Sequence, residues 1–189
     1  MLAAVTRRHD ELNRALVHGM RPVVVELAEP DPAWPAAFDA AAARLRAALG
    51  ERAHRIEHIG STAVPGLAAK PVIDVVVALD DPDDEAAYLP DLLADGYDLR
   101  VREPGHRCLR GAVGDLPVNL HCYAQGSPEI TRYLVFRDRL RAHDDERARY
   151  EAHKRGLAGR EWADMNLYAD AKGPVVEEII GRAGGPPRP

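Results

Sequence analysis

Residues 56–77 read IEHIGSTAVPGLAAKPVIDVVV, and the centre of the fold can be predicted from them. Residues 55–59 alternate between apolar and polar side chains, which predicts a strand that ends at the Gly-Ser pair of positions 60–61. Residues 62–71 contain a Pro-Gly turn signal and are predicted to form a loop. The run 72–77 is rich in β-branched residues, which favours a buried central strand. The stretch therefore predicts two neighbouring strands joined by a loop.

The pattern outside this stretch is strand-rich first and helical last. We expect a strand at 23–25, helices at 35–49 and 85–95, strands at 97–102, 106–112 and 117–123, and helices at 128–142, 145–158 and 161–181. This order predicts an α+β fold, in which a mixed sheet has flanking helices and a C-terminal helical segment. We interpret residues 21–182 as a single domain, with a sheet part (21–125) and a helical part (127–182), between an N-terminal extension (1–20) and a disordered tail (183–189).

Composition restricts the classes of function. The chain has 189 residues, 46% of them apolar, which suits one domain with a sizeable core. Its formal net charge of −5 argues against a nucleic-acid partner but is compatible with a local basic pocket. No apolar run reaches the length of a membrane span and no signal-peptide core is present, so we expect a cytoplasmic protein without a membrane partner. Cys108 and Cys122 are expected to be reduced.

Gly60, Ser61 and Asp74 form the most informative group of residues. A strand that ends in Gly-Ser can turn sharply and present N–H groups and a hydroxyl to phosphate oxygens. Asp74 stands in an otherwise apolar strand, where a carboxylate costs roughly several kcal/mol unless it is paired or bound to a cation. Two interpretations of Asp74 have equal weight. It is either a ligand of Mg²⁺ or a structural residue bonded to loop N–H groups or to an arginine.

Residues 56–74 resemble the signature of the GrpB-like family, an uncharacterised protein family. Shorter matching pieces are DPAW at 31–34, FRDRLR at 136–141 and YADAK at 168–172. The resemblance covers roughly residues 22–182, and its long first motif is specific. It implies a nucleotidyltransferase fold of the DNA polymerase beta type, and in some bacteria such a domain is fused to dephospho-coenzyme A kinase. The resemblance implies a fold more than it implies an activity.

Two positions depart from the wider superfamily, which places two carboxylates one residue apart on the strand. Val76 stands where the partner of Asp74 would be. On the later strand Asn119 and His121 share a face, and the family commonly has a histidine at the first of these positions. Asp74 and His121 predict either a weak divalent-metal site, for Mg²⁺, Mn²⁺ or a softer ion, or a hydrogen-bonded pair for acid–base catalysis. A structural histidine is the third interpretation.

Candidate phosphate- and substrate-binding residues lie in the signature loop or at informative basic and aromatic positions. They are Gly60, Ser61, Thr62, Lys70, Arg107, Lys154, Tyr168 and Lys172. Lysine occurs only three times, whereas arginine is abundant and by default solvated. Arg107 and Arg110 are an odd number of residues apart on one strand, so only one of them can face the pocket. His58 is interpreted as a structural residue that supports the loop.

Three functions are compatible with these residues. The leading hypothesis is an enzyme that transfers a nucleotidyl or phosphoryl group from a nucleoside triphosphate to a small molecule, with a weakly bound divalent ion. The second is an accessory protein that binds a nucleotide or phosphorylated metabolite without catalysis. The third is acid–base catalysis on a small carboxylate metabolite. All three predict a small-molecule partner, and the sequence leaves the oligomeric state open.

Overall fold

The protein is described by a computed structural model that covers the backbone of residues 2–188 and the side chains of residues 7–188. Within these residues the elements follow in the order α1 (Leu2–Ala15), β1 (Val23–Val24), α2 (Trp34–Leu49), β2 (Arg55–Ile59), β3 (Ile73–Leu79), α3 (Leu89–Ala94), β4 (Asp98–Glu103), β5 (His106–Val113), β6 (Leu116–Ala124), α4 (Pro128–Ala142), α5 (Asp144–Leu157), β7 (Glu161–Trp162) and α6 (Met165–Arg182). Short 3₁₀ turns lie at Gly50–Arg52, Ser61–Ala63 and Glu85–Ala87. The predicted α+β class is confirmed.

Five strands form the main sheet, in the order β2-β3-β6-β5-β4. β3 pairs antiparallel with β2 and parallel with β6, and the remaining pairs are antiparallel. Because β3 has a strand on each side, its backbone groups are paired on both edges. Its side chains from Val75 to Leu79 are buried on both faces, which explains the apolar run in the sequence.

Alternation along β3 divides its side chains between two layers. Val75 and Val77 point toward α2 and α3, where they pack with Leu45 and Leu92 in the larger core. Val76 belongs to a separate cluster on the opposite face, against α4. Asp74 shares that second face because it is two residues from Val76. The carboxylate is thus placed on the side of the sheet that faces the C-terminal helices.

The C-terminal helices form a lobe with a core of their own. Leu140, Tyr150 and Ile179 from α4, α5 and α6 pack together, and the signature loop adds Val64 and Leu67. The loop is therefore fixed on one side by the sheet and on the other by the helical lobe. Within residues 2–188, no helix has both the length and the apolar character needed to cross a bilayer.

The predicted helix 161–181 is wrong in its first turn. Glu161–Trp162 form β7, which pairs with β1 in a separate two-stranded sheet. α6 begins later because the carboxylate of Asp164 accepts the backbone N–H of Asn166 and caps the helix. The strand predicted at 23–25 is thus an edge strand of this small sheet and not of the main one.

Both terminal segments contact the rest of the fold. Leu12 and Leu16 are buried, and Leu16 forms an antiparallel bridge with Val101 of β4. Near the other end, the carbonyl of Pro186 accepts a hydrogen bond from the Arg132 guanidinium at 2.6 Å. The last residue of the predicted tail lies outside the described residues.

Candidate active site

A cleft of about 420 Å³ separates the Asp74 face of the sheet from the helical lobe. The signature loop, β3, β5, β6, α5 and α6 all contribute side chains to its walls. Nine of the ten predicted site residues line it. They are Gly60, Ser61, Thr62, Lys70, Asp74, His121, Lys154, Tyr168 and Lys172. The tenth, Arg107, lies outside the cleft.

Gly60 allows the chain to turn directly beside Asp74. Its φ of 72° and ψ of −172° belong to a region that only glycine adopts readily. A Cβ atom at this position would lie 2.4 Å from Oδ2 of Asp74 and 2.9 Å from its Cβ. The glycine therefore serves two purposes, since it makes the turn and leaves space for the carboxylate.

The partner of Asp74 is Asn119. The two residues are neighbours in the parallel register of β3 and β6, and the Asn119 amide donates to Oδ1 of Asp74 at 2.8 Å. This hydrogen bond satisfies one carboxylate oxygen without a metal ion. Val76 stands where the family resemblance would place a second carboxylate, and within residues 7–188 no group of three or more His, Cys, Asp or Glu side chains is arranged so that it could hold a metal ion. These residues do not fit a resident divalent ion, which needs several oxygen ligands.

His121 has a different partner from the predicted one. It lines the same cleft as Asp74. However, its Nδ1 lies 3.1 Å from Nε2 of His106. The other ring nitrogen of His106, Nδ1, lies 3.1 Å from Oε2 of Glu103. This chain of three residues was not predicted from the sequence. The signal was available, because the turn at 114–115 fixes the β5–β6 register and puts His106 and His121 on one face.

All three lysines of the chain line this one cleft. Burial lowers the pKa of Lys70, against the opposing charge of Asp74. Burial alone would also lower the pKa of Lys172, but Tyr150, Tyr168 and Asp74 together raise it. The Lys172 ammonium lies 4.6 Å from the centre of the Tyr168 ring, a favourable cation–π distance.

Lys154 is the most deeply buried of the three, with 2% of its surface exposed. Its Nζ donates to the carbonyl oxygen of Ala68 and lies 3.1 Å from Oγ of Ser61. Burial, reinforced by the charge of Lys172, lowers the pKa of Lys154 to about 7. Lys154, which the sequence predicts to bind phosphate, therefore also holds the signature loop in place through its hydrogen bonds.

Arg107, predicted to bind phosphate, does not line this cleft, whereas Arg110 does. Arg107 faces the α2 and α3 side of the sheet, where its guanidinium pairs with Asp83 at 2.8 Å and Glu85 at 2.5 Å. Arg110 is three residues later and lines the cleft, as does Arg100 of β4. The odd spacing puts the two arginines of β5 on opposite faces.

Thr62 has little freedom to bind a ligand. Only 4% of its surface is exposed, and its hydroxyl donates to the carbonyl of Val72 at 3.0 Å. Its oxygen also lies 3.1 Å from Nε2 of His58, whose ring stacks on Phe38. Burial lowers the pKa of His58 to about 4, so its neutral ring can donate to Thr62. Both residues brace the loop.

Comparison with known proteins identifies relatives along almost the whole chain. The family model described as GrpB protein matches residues 24–182. A UPF0157 protein from Halalkalibacterium halodurans is 46% identical over 182 residues, covering 94% of this chain and 92% of the relative. A dephospho-CoA kinase from Mycolicibacterium paratuberculosis is 34% identical over 186 residues, which is 84% of this chain but only 46% of the kinase.

A solved structure supports the same relationship. The crystal structure of the conserved protein GrpB from Enterococcus faecalis superimposes with a TM-score of 0.70 at 28% identity, covering 83% of this chain and 98% of that one. The mixed α+β class predicted from the sequence is therefore shared with a solved GrpB structure. On the evidence of its sequence and its fold, the chain belongs to the GrpB family.

Proposed function

We propose that the cleft binds a phosphate-bearing small molecule, in the first instance a nucleoside triphosphate, and transfers its phosphoryl or nucleotidyl group to a small acceptor. The observation that carries this proposal is an excess of unpaired cations. Seven lysine and arginine side chains line the cleft against five carboxylates. Only Arg132 of the seven pairs with a carboxylate of residues 7–188. Five arginine and lysine cations, Lys70, Arg100, Arg110, Lys172 and Arg188, form no such ion pair, and neither does Lys154, whose lowered pKa of about 7 leaves it partly neutral.

Most of the carboxylates in the walls are already engaged. Asp170 pairs with Arg8 at 2.7 Å, Glu177 pairs with Arg132, and Asp164 caps α6. Gathering cations without countercharge in a partly buried cleft is unfavourable, because each loses hydration. An anionic ligand with several phosphate oxygens supplies the missing charge, and lysine and arginine bind such oxygens well.

The remaining polar groups suit transfer chemistry. The lysine and arginine cations balance charge on the phosphate oxygens, which is the largest requirement of phosphoryl transfer. His121, oriented by His106 and Glu103, is the group that accepts a proton from the acceptor hydroxyl. Asp74 keeps Lys70 and Lys172 in the cleft by opposite charge. No step in this scheme needs a resident metal ion.

A second function, binding without catalysis, is favoured by one specific observation. Val76 removes the second carboxylate on β3, and Asn119 supplies a neutral amide in place of another. A site that kept its phosphate cations but lost its metal ligands matches an accessory protein that holds a phosphorylated metabolite.

Calorimetric titration with ATP, in EDTA and then in excess Mg²⁺, tests the proposal. We expect binding in EDTA, weakened about tenfold or more by Arg110→Ala because a phosphate contact is lost. Arg102→Ala is the matched control, since Arg102 is an exposed arginine whose partner Glu85 lies on the opposite face. ³¹P NMR of ATP with candidate acceptors then separates the two functions. Binding with unchanged ATP favours the accessory function, and binding of citrate but not ATP contradicts both.

A further inference from the structure

Ser61 and Lys154 meet in the cleft although 93 residues separate them in the chain. Nζ of Lys154 lies 3.1 Å from Oγ of Ser61 and donates a second hydrogen bond to the carbonyl of Ala68. The Tyr150 ring covers the lysine, with its centre 4.9 Å from Nζ. Both Ser61 and Lys154 line the cleft, so a bound molecule can reach the serine hydroxyl.

The surroundings of Lys154 favour a neutral amine. Burial is the main cause, and Lys172 on α6 and Arg155 on α5 add repulsion, whereas only Glu151 on α5 opposes it. From the loop, the lysine receives the Ser61 hydroxyl and the Ala68 carbonyl but no carboxylate. A neutral amine can donate one N–H to the Ala68 carbonyl and still accept the proton of the Ser61 hydroxyl. The lowered pKa of about 7 allows this state near neutral pH.

We propose that Ser61 and Lys154 form a serine–lysine catalytic pair, in which Ser61 is a nucleophile toward phosphorus and Lys154 is its general base. Serine hydroxyls are weak nucleophiles unless an adjacent base takes the proton, and a lysine in a desolvated setting is one of the bases that proteins use. Neither residue forms part of the Glu103–His106–His121 chain. The pair is therefore a separate chemical device in the same cleft.

In the covalent step, the phosphoryl group of the substrate is transferred to Ser61. The Ser61 O–H bond breaks and its proton moves to Nζ of Lys154, while Oγ forms a bond to phosphorus. The bond from phosphorus to the leaving oxygen breaks with its electron pair, and that oxygen takes the proton from the Lys154 ammonium. Lys70 and Lys172 balance the charge that develops on the phosphoryl oxygens. The acceptor oxygen then attacks phosphorus of phosphoserine 61 while its proton moves to the neutral Nζ of Lys154. The bond from phosphorus to Oγ breaks with its electron pair, and Oγ takes the proton from Lys154 to regenerate the free serine. The identity of this substrate rests on the proposed function, but the reactivity of Ser61 does not.

Diisopropyl fluorophosphate tests the reactivity directly. It is uncharged, so its reaction does not depend on the anion-binding cations, and it loses fluoride when a serine oxygen bonds to phosphorus. The chain contains only two serines, Ser61 and Ser127. Intact mass spectrometry followed by peptide mapping therefore assigns every serine adduct. We expect a single adduct on Ser61, with a labelling rate that rises with pH through about 7 as Lys154 loses its proton.

Variants of Ser61 and Lys154 show whether the lysine acts as a general base or only stabilises the loop. Ser127→Ala is expected to leave labelling unchanged, and Ser61→Ala is expected to abolish it. Lys154→Arg keeps a cation that can donate to Ser61 and Ala68 but cannot act as a base, so the rate should fall on the order of 100-fold. Thermal melting of each variant establishes that it is folded, and Lys154→Met provides a neutral replacement that also lacks a base.

Three results would overturn the pair. They are the absence of an adduct on Ser61 in the folded protein, a rate no higher than that of Ser127, or undiminished labelling in folded Lys154→Arg. Any of these leaves the proposed function intact if ATP still binds. Labelling of Ser61 without ATP binding, by contrast, supports the pair and contradicts the proposed substrate.

Discussion

Gly60 and Asp74 are packed so closely that residue 60 has no space for a side chain. A Cβ atom there would lie 2.4 Å from Oδ2 of Asp74 and 3.0 Å from its Cγ. The turn that ends β2 and the carboxylate of β3 thus define each other's position. This contact explains why the Gly-Ser pair and Asp74 belong to one structural unit although they are separated in the sequence.

Gly60→Ala is therefore expected to destabilise the protein by roughly 2–4 kcal/mol, from backbone strain and from the clash with Asp74. Gly105→Ala is the matched control, because Gly105 has the same φ of 72° but no atom within 4 Å of its would-be Cβ. Chemical denaturation of both variants measures the difference. Equal losses of unfolding free energy in the two variants would contradict this prediction, because they would show that Asp74 moves away from the new Cβ without an energetic cost.

Asn119→Asp is expected to create a Mg²⁺ site formed by two facing carboxylates. The new carboxylate would face Asp74, where the amide now donates at 2.8 Å. Repulsion between two like charges lowers stability at neutral pH, and a divalent ion shared by both carboxylates restores it. At about 100 times its Kd, Mg²⁺ adds about 2.7 kcal/mol.

Thermal melting with and without Mg²⁺ checks this prediction. The natural chain and Asp74→Asn should show no Mg²⁺-dependent rise in Tm, whereas Asn119→Asp should show one. A stoichiometric rise in the natural chain that Asp74→Asn removes would mean that a ligand has been overlooked.

His58 is expected to make stability depend on pH in the acidic range. Burial lowers its pKa from the ordinary 6.5 to about 4, so between these values the unfolded chain binds a proton that the folded chain does not. The free energy of unfolding therefore falls as pH drops from 6.5 toward 4, by up to about 3 kcal/mol from this residue.

Denaturant unfolding across this pH range compares the natural chain with His58→Gln, which keeps a donor to Thr62 but does not titrate. The variant should show a flatter profile. His18→Gln, at an exposed position, is the control and should follow the natural chain. Parallel profiles for all three proteins would exclude His58 as the source.

The Glu103–His106–His121 chain is expected to fix the tautomers of both rings. The Glu103 carboxylate can only accept, so a neutral His106 donates from Nδ1 and accepts at Nε2. His121 must then carry its proton on Nδ1, which leaves Nε2 free to accept a proton. Long-range ¹H–¹⁵N NMR at alkaline pH identifies the tautomer of each ring. In Glu103→Ala, His106 and His121 should no longer be restricted to these tautomers. An Nε2–H form of His121 in the natural chain would contradict its proposed function as a base.

Most of the fold could be predicted from local patterns in the sequence. Alternation in residues 55–59, the β-branched run beginning at 72 and the turn at 114–115 are local patterns, and the strands they predict are present. Such patterns are reliable because the two faces of a strand and the 3.6-residue helical repeat are properties of the backbone. β7 was missed because a strand of two residues depends on its distant partner, β1, and carries no periodicity of its own.

The sequence also brought attention to Gly60, Ser61, Asp74 and the scarce lysines, since each is unusual for its position. Only the tertiary structure decided how they are paired. Asp74 bonds to Asn119 and not to His121, and Lys154 reaches Ser61 across 93 residues. The choice between Arg107 and Arg110 likewise depended on which face of the sheet the helical lobe covers. The physical reason is that strand alternation tells which residues share a face, but hydrogen bonds and charges are set by distances that only packing defines.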